Sequence, residues 1–132
     1  MMEKIAPGMT GTANMIVGTN DTAPRVGSGK IAVLATPVMI NLIEEAALNA
    51  IEDALPDGMQ SLGTHLDVSH IAATPVGMAA TAEATVTRVD GRTVHFEVEA
   101  RDAHDVIGKG QHTRVIVTAE KFVARVDQKA AL

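Results

Sequence analysis

Hydrophobic and polar positions change their rhythm along the chain, and each change marks a predicted element. Residues 11–17 alternate as a short strand. Residues 18–29, rich in Gly, Thr, Asn and Asp with Pro24, read as a loop whose length suggests a lid or a surface crossing. From 37 to 55 the spacing becomes helical. Pro37 takes the first helical position with Thr36 as the N-cap before it, and Pro56, Asp57 and Gly58 close the helix. At about 100° per residue, Asn41, Glu45, Asn49 and Glu52 gather on one narrow side, while Met39, Leu42, Ile43, Ala46, Ala47, Ala50 and Ala54 form a wide apolar arc. Glu44 belongs to neither group. It projects from the flank beside Ala47 and Ile51, so a helix packed by its apolar arc holds this carboxylate at the boundary of the core.

After the helix the pattern alternates with period two, as in strands with one buried face. Between 59 and 73 the apolar face carries Leu62, Leu66, Val68, His70 and Ala72, and the other carries His65, Asp67 and Ser69. Thr74, Pro75, Val76 and Gly77 make a turn. Met78, Ala80, Ala82, Ala84 and Val86 then alternate with threonines and Glu83, and Asp90-Gly91 supplies a type I′ hairpin signal. The next strand buries Val94, Phe96, Val98 and Ala100, and after a turn near Asp105 a last strand is expected over 107–123. The prediction is an α+β domain, one long helix followed by an antiparallel meander. A single helix covers the sheet best when the strands wrap around it, and the leftover edge and face favour a homodimer.

Length and composition narrow the picture. The 132 residues suit a single domain over 1–132, and 46% hydrophobic residues are enough for a folded core. That core must be built from small and branched side chains, because the chain has no Trp, no Tyr and only Phe96 and Phe122. Backbones that approach closely are the consequence. Without Cys there are no thiol nucleophiles, disulfides or thiolate metal sites. A net charge of −5 speaks against nucleic acid as a partner, since phosphate binding needs clustered cations. Neither a basic leader at residues 1–11 nor a run able to cross a bilayer is present, so no membrane partner and a cytoplasmic location are expected. Residues 1–75 carry three basic against eight acidic side chains, and residues 76–132 carry eight of each, which directs an anionic ligand to the second half.

Several local motifs fail on their own chemistry. Around Gly29-Lys30 a phosphate loop would need glycine where Pro24 stands and a hydroxyl where Ile31 stands. Gly108-Lys109-Gly110 opens a dinucleotide fingerprint, but Thr113 replaces its third glycine. His65 and His70 face opposite sides of one strand and cannot share a metal locally, and His104 with Asp102 and Asp105 decorates a turn. No metal and no cofactor are expected. There is no Gly-x-Ser-x-Gly elbow either.

Three residues remain as candidate chemistry: a hydroxyl at a helix start, Thr36; a carboxylate two turns on, Glu44; and an imidazole on the apolar face of the next strand, His70. Each has a structural role open to it, as cap, flank residue and core histidine. Together, a carboxylate and an imidazole at low dielectric suit general acid-base or nucleophilic work.

The stretch Ala35-Thr36-Pro37-Val38-Met39-Ile40-Asn41-Leu42-Ile43-Glu44, the residues Ser61-Leu62-Gly63-Thr64 continuing through Val68-Ser69-His70 to Gly77, and Gly110-Gln111-His112-Thr113-Arg114 together resemble the fluoroacetyl-coenzyme A thioesterase family. Glu120-Lys121-Phe122 matches as well, and the likeness runs over about 35–128. The resemblance implies a hot-dog fold, with roughly five or six antiparallel strands cradling the helix, as a homodimer whose further pairing into a tetramer stays open. It places Thr36, Glu44 and His70 on the family's catalytic threonine, glutamate and histidine, and Gly63 and Arg114 on positions that contact the acyl end of the substrate. An acyl-coenzyme A substrate follows, cleaved to the free acid and coenzyme A.

The expected chemistry has Glu44 attacking or activating water, Thr36 orienting it, His70 moving the proton, and backbone amides at Gly63 or the helix start stabilising the oxyanion. Family members specialised for the fluorinated substrate carry aromatic lid residues shortly before the threonine, and residues 25–35 contain none, so a broader small-acyl specificity is expected. The alternatives are a binding module that holds a thioester without cleaving it, and an enoyl-thioester hydratase of the same fold. For the hydratase, Asp67 is too close to His70 and faces away.

Overall fold

The computed structural model describes residues 4–132. Residues 1–3, part of the stretch in which no leader is expected, lie outside the described residues. The elements run β1 (Thr10–Ile16), a one-turn helix α1 (Ala23–Val26), the long helix α2 (Thr36–Ile51) extended by a 3-10 turn (Glu52–Ala54), β2 (Met59–His70), β3 (Ala79–Asp90), β4 (Thr93–Arg101), β5 (Val106–Thr118) and α3 (Ala119–Ala130). The strands form one antiparallel sheet in the order β1-β3-β4-β5-β2. It curls around α2, which packs on β1, β3, β4 and β2. This is the hot-dog arrangement, α+β as expected.

Small side chains make the close packing possible. Met39, Leu42, Ile43, Ala46, Ala47, Ala50 and Ile51 of α2 are buried, and they meet Ala80, Ala82, Ala84 and Val86 of β3 and Val94, Phe96, Val98 and Ala100 of β4. Gly11 shows how close the approach is. A methyl there would overlap the Ala46 carbonyl and the Ala50 amide, so α2 rests directly on the backbone of β1. From the polar flank of the helix, Asn49 Nδ2 donates to the Thr12 carbonyl at 2.8 Å.

Four details depart from the sequence expectation. The helix begins at Thr36, so Ala35 (φ −69°, ψ 140°) is the N-cap and the Thr36 side chain caps nothing. Only β3, β4 and β5 form a meander, because β2 pairs with β5 at the far edge and residues 71–78 carry the chain back across to β3. The hairpin at Asp90-Gly91 is present, but its two-residue loop is Gly91-Arg92. Gly91 has φ 59° and no described non-glycine residue has positive φ, a type II′ pattern rather than type I′. Finally, β5 ends at Thr118. Residues 119–130 are rich in Ala, Glu, Lys and Arg, good helix formers, and coil into α3 with Phe122, Val123 and Val126 exposed.

A fifth departure bears on function. Thr64 is an extra residue between the pairs Gly63–Arg114 and His65–Thr113, a bulge that flips the inner face of β2. Ser61 and Gly63 point inward before it, where alternation had placed Leu62; beyond it Val68 and His70 point inward as expected.

Candidate active site

At its amino-terminal end α2 carries Thr36, and β2 delivers His70 at its last position. Opposite His70 stands Gly108, where a methyl would meet Met39, so the absent side chain leaves room for the helix to come close. The loop after β2 is anchored on both sides. Leu34 N–H donates to the Thr74 carbonyl (2.9 Å), and the fully buried Thr74 hydroxyl donates to Asp102 Oδ2 (2.8 Å). Asp102 also accepts from the amides of His104 and Asp105, and these hydrogen bonds hold its pKa below the usual value. With the loop fixed, Thr36 Oγ1 lies 2.7 Å from His70 Nδ1. His70 Nε2 is buried and, among the described residues, has no hydrogen-bond partner. Burial lowers the His70 pKa from its ordinary value, with the Ala72 backbone partly offsetting the effect. Around this pair runs a cleft of about 340 Å³ lined by Ala23, Ser28, Val33, Leu34 and residues 71–73. Its lining residues include no Phe, Tyr or Trp.

Glu44 sits eight residues further along α2, which is about 12 Å of helix axis. Its carboxylate is half-buried and lies over Gly63 so closely that a methyl on that glycine would overlap Oε2. Arg114 Nη1 donates to Glu44 Oε2 at 3.3 Å, and His112 Nε2 stands 3.9 Å from the same oxygen. Arg114 is only 6% exposed, and each side of its guanidinium is used: Nε donates to Ser61 Oγ (2.9 Å), Nη2 to the Ser61 carbonyl (3.2 Å), and Nη1 also to His112 Nε2 (3.2 Å). Burial lowers its pKa and the Glu44 carboxylate raises it.

The structure thus joins Thr36 with His70, and Glu44 with Gly63 and Arg114. Among the described residues no hydrogen bond or ion pair links the two groups within one subunit. Sequence reasoning missed Ser61 and His112. The signal for His112 was its two-residue spacing from Arg114, which puts both on one face of a strand; Ser61 was hidden by the bulge.

A larger concavity, about 700 Å³, is elsewhere, on the outer face of the sheet among Asp67, Glu83, Glu97 and Glu99. Its carboxylates would repel an anionic ligand. No group of three or more His, Cys, Asp or Glu able to hold a metal exists among the described residues.

The profile of fluoroacetyl-CoA-specific thioesterases matches residues 17–120. The chain belongs to this family. It is 43% identical over 97 residues to a fluoroacetyl-CoA thioesterase from Streptantibioticus cattleyicolor, covering 74% of this chain and 70% of that protein. The solved structure of the fluoroacetyl-CoA thioesterase FlK superposes with a TM-score of 0.89 at 35% identity, covering 95% of this chain and 97% of that one. A thioesterase superfamily member from Thermus thermophilus has the same TM-score of 0.89 at 26% identity, over 96% and 94% of the two chains. Among the described residues, no helix is long and apolar enough to cross a membrane.

Proposed function

We propose that this protein is an acyl-CoA thioesterase that cleaves a small acyl-coenzyme A ester to the free acid and coenzyme A, with Thr36, Glu44 and His70 as its catalytic groups and Gly63 and Arg114 at the acyl end. The observation that carries the proposal is the Thr36–His70 pair, an imidazole fixed through Nδ1 at 2.7 Å and left with an unpartnered Nε2 beside an open cleft. Such a nitrogen is uncommitted to any other partner, as a proton-exchanging group needs to be. Glu44 either attacks the thioester carbonyl, so that collapse of the tetrahedral oxyanion expels the thiolate of coenzyme A and leaves an acyl-Glu44 anhydride, or takes the proton from a water that attacks directly and gives the acid when the thiolate leaves. In the first route water then hydrolyses the anhydride to the acid and regenerates Glu44; in both, the proton released by water is taken up by His70 or Glu44 and passed to the thiolate. An amide at Gly63 or at the start of α2 would meet the developing charge; at the helix start Pro37 has no N–H, Val38 and Met39 both bond the Ala35 carbonyl, and among the described contacts the Thr36 N–H meets no acceptor.

The site is completed by a second copy. β2 is a twelve-residue edge strand with its outer side open, and Gly63, Thr64, His65, Leu66 and Asp67 are exposed along it. Antiparallel pairing of two such strands about a two-fold near Leu66–Asp67 sets His70 of one copy opposite Gly63 of the other, uniting Thr36 and His70 with the second copy's Glu44 group. A homodimer is part of the proposal, as is a cytoplasmic location, where coenzyme A esters are met.

Residues 25–35 offer no aromatic lid, so the reading favours short acyl groups in general over the fluorinated one, with acetyl-CoA, bound by a mutant of FlK, a natural first substrate to try. The test is thiol release across a panel of acyl-CoA esters. Release with short acyl chains supports the proposal. Tight binding without release would replace it with a binding module, and loss of enoyl absorbance without release would replace it with a hydratase.

A further inference from the structure

We propose that His112 is a positioning residue of the thioesterase site: as a neutral Nδ1–H imidazole it holds the Arg114 guanidinium in the orientation that meets Glu44. The inference rests on the reading of Glu44 as the reaction's carboxylate.

The hydrogen bonds determine the tautomer. His112 Nδ1 is 2.8 Å from the His65 carbonyl, which can only accept, so Nδ1 carries the proton. Nε2 is 3.2 Å from Arg114 Nη1, which can only donate, so Nε2 presents its lone pair. Both nitrogens are thereby used and the ring is fixed. Its plane is held from another side by Phe96 of β4, with centroids 6.0 Å apart at 26°. The residue is fully buried. Arg114 Nη1 divides its protons between His112 Nε2 and Glu44 Oε2, while Ser61 holds the other side of the guanidinium. His112 therefore fixes the angle at which the cation meets the carboxylate.

Protonating His112 would break this arrangement. An Nε2–H would face an Arg114 N–H, donor against donor and cation against cation. The charges around the ring are Glu44 from α2, Arg114 on its own strand and His65 from β2; Arg88 of β3 and His95 of β4 belong to the outer face of the sheet. Desolvation pushes the His112 pKa down, the Arg114 charge adds to this, and the His65 carbonyl and Glu44 oppose it.

The experiment compares wild type with His112→Gln, which keeps an acceptor for Arg114 without titrating, and His112→Phe, which keeps the ring and loses the acceptor. In His112→Phe, kcat should fall about tenfold to a hundredfold with KM changed much less, the loss expected for misplacement of a reacting group. His112→Gln should restore most of kcat and remove that part of the wild-type acid limb that follows the His112 titration. Nitrogen-15 NMR of the wild type should show the neutral Nδ1–H tautomer near neutral pH. Wild-type kcat in folded His112→Phe would overturn the inference. If that variant does not fold, an acid limb in His112→Gln identical to wild type overturns it, as does an Nε2–H tautomer or a cationic ring near neutral pH. The NMR measurement is independent of turnover, so a wild type inactive on every ester refutes the proposed function and leaves the tautomer to decide this inference.

Discussion

Gly63 lies directly beneath the carboxylate of Glu44, with no space for a side chain between the strand and the acid. Gly63→Ala places a methyl on Oε2 and 3.0 Å from His112 Cε1. The carboxylate is the free end of a flexible side chain and can turn aside, but doing so takes it from the buried Arg114, so stability should fall by about 1–3 kcal/mol. Turnover should drop by about tenfold to a hundredfold. Thermal melts and thiol-release kinetics on the same preparation check this; unchanged kcat would show that Glu44 need not occupy its place over the glycine.

Glu44→Gln keeps the shape of the side chain and an acceptor for Arg114 while removing the nucleophilic or basic oxygen. Thiol release should fall by about a thousandfold or more, with a melting temperature near that of wild type. Normal turnover in this variant would refute the catalytic assignment.

Two inactive variants should rescue one another if the site spans two subunits. Co-expressed His70→Ala and Glu44→Gln chains would form mixed dimers in which one site carries both substitutions and the other carries neither. With random assortment about half the dimers are mixed, giving about a quarter of wild-type activity. No recovery, with mixed dimers verified by mass, would place all three groups within one subunit.

Acid should weaken the fold near neutrality. Folding lowers the pKa of both His112 and His70 from the ordinary 6.5, chiefly through burial. Below that value the unfolded chain binds more protons than the native one, so stability falls as pH drops through about 6.5 and levels off once the folded pKa values are passed. Above it these imidazoles add no slope. Asp102 acts in a separate window, because its stabilising ionisation is lost only as pH falls below its ordinary 3.8. Denaturant midpoints at about pH 7.5 and pH 5.5 test the imidazoles alone. The acid value should be lower, and His112→Phe should reduce the difference; equal midpoints in wild type would contradict it.

Much of the fold was legible because periodicity reports burial. The inner faces of β3 and β4 follow simple alternation, and the apolar arc of α2 is buried nearly as its spacing implies. What alternation cannot show is a change of phase. Thr64 shifts the register by one residue, so Ser61 became an inward residue and a partner of Arg114 without any local signal. Thr36 misled for a different reason. Its type and place suit a cap, but a long-range partner, His70 Nδ1, took its hydroxyl. The position of Glu44 at the core boundary was readable from helical geometry alone, whereas its separation from His70 depends on how α2 crosses β2, which no short window contains. α3 was missed because its valines also suit a strand.

The seating of α2 on bare backbone at Gly11 makes the helix a rigid beam. Thr36 and Glu44 ride on the same beam, so a substitution that tilts it, even at Ala50, which packs on Gly11 beyond Glu44, displaces both groups together. In the proposed dimer each helix serves both sites, its hydroxyl in one and its acid in the other, so such a tilt would disturb the two sites at once.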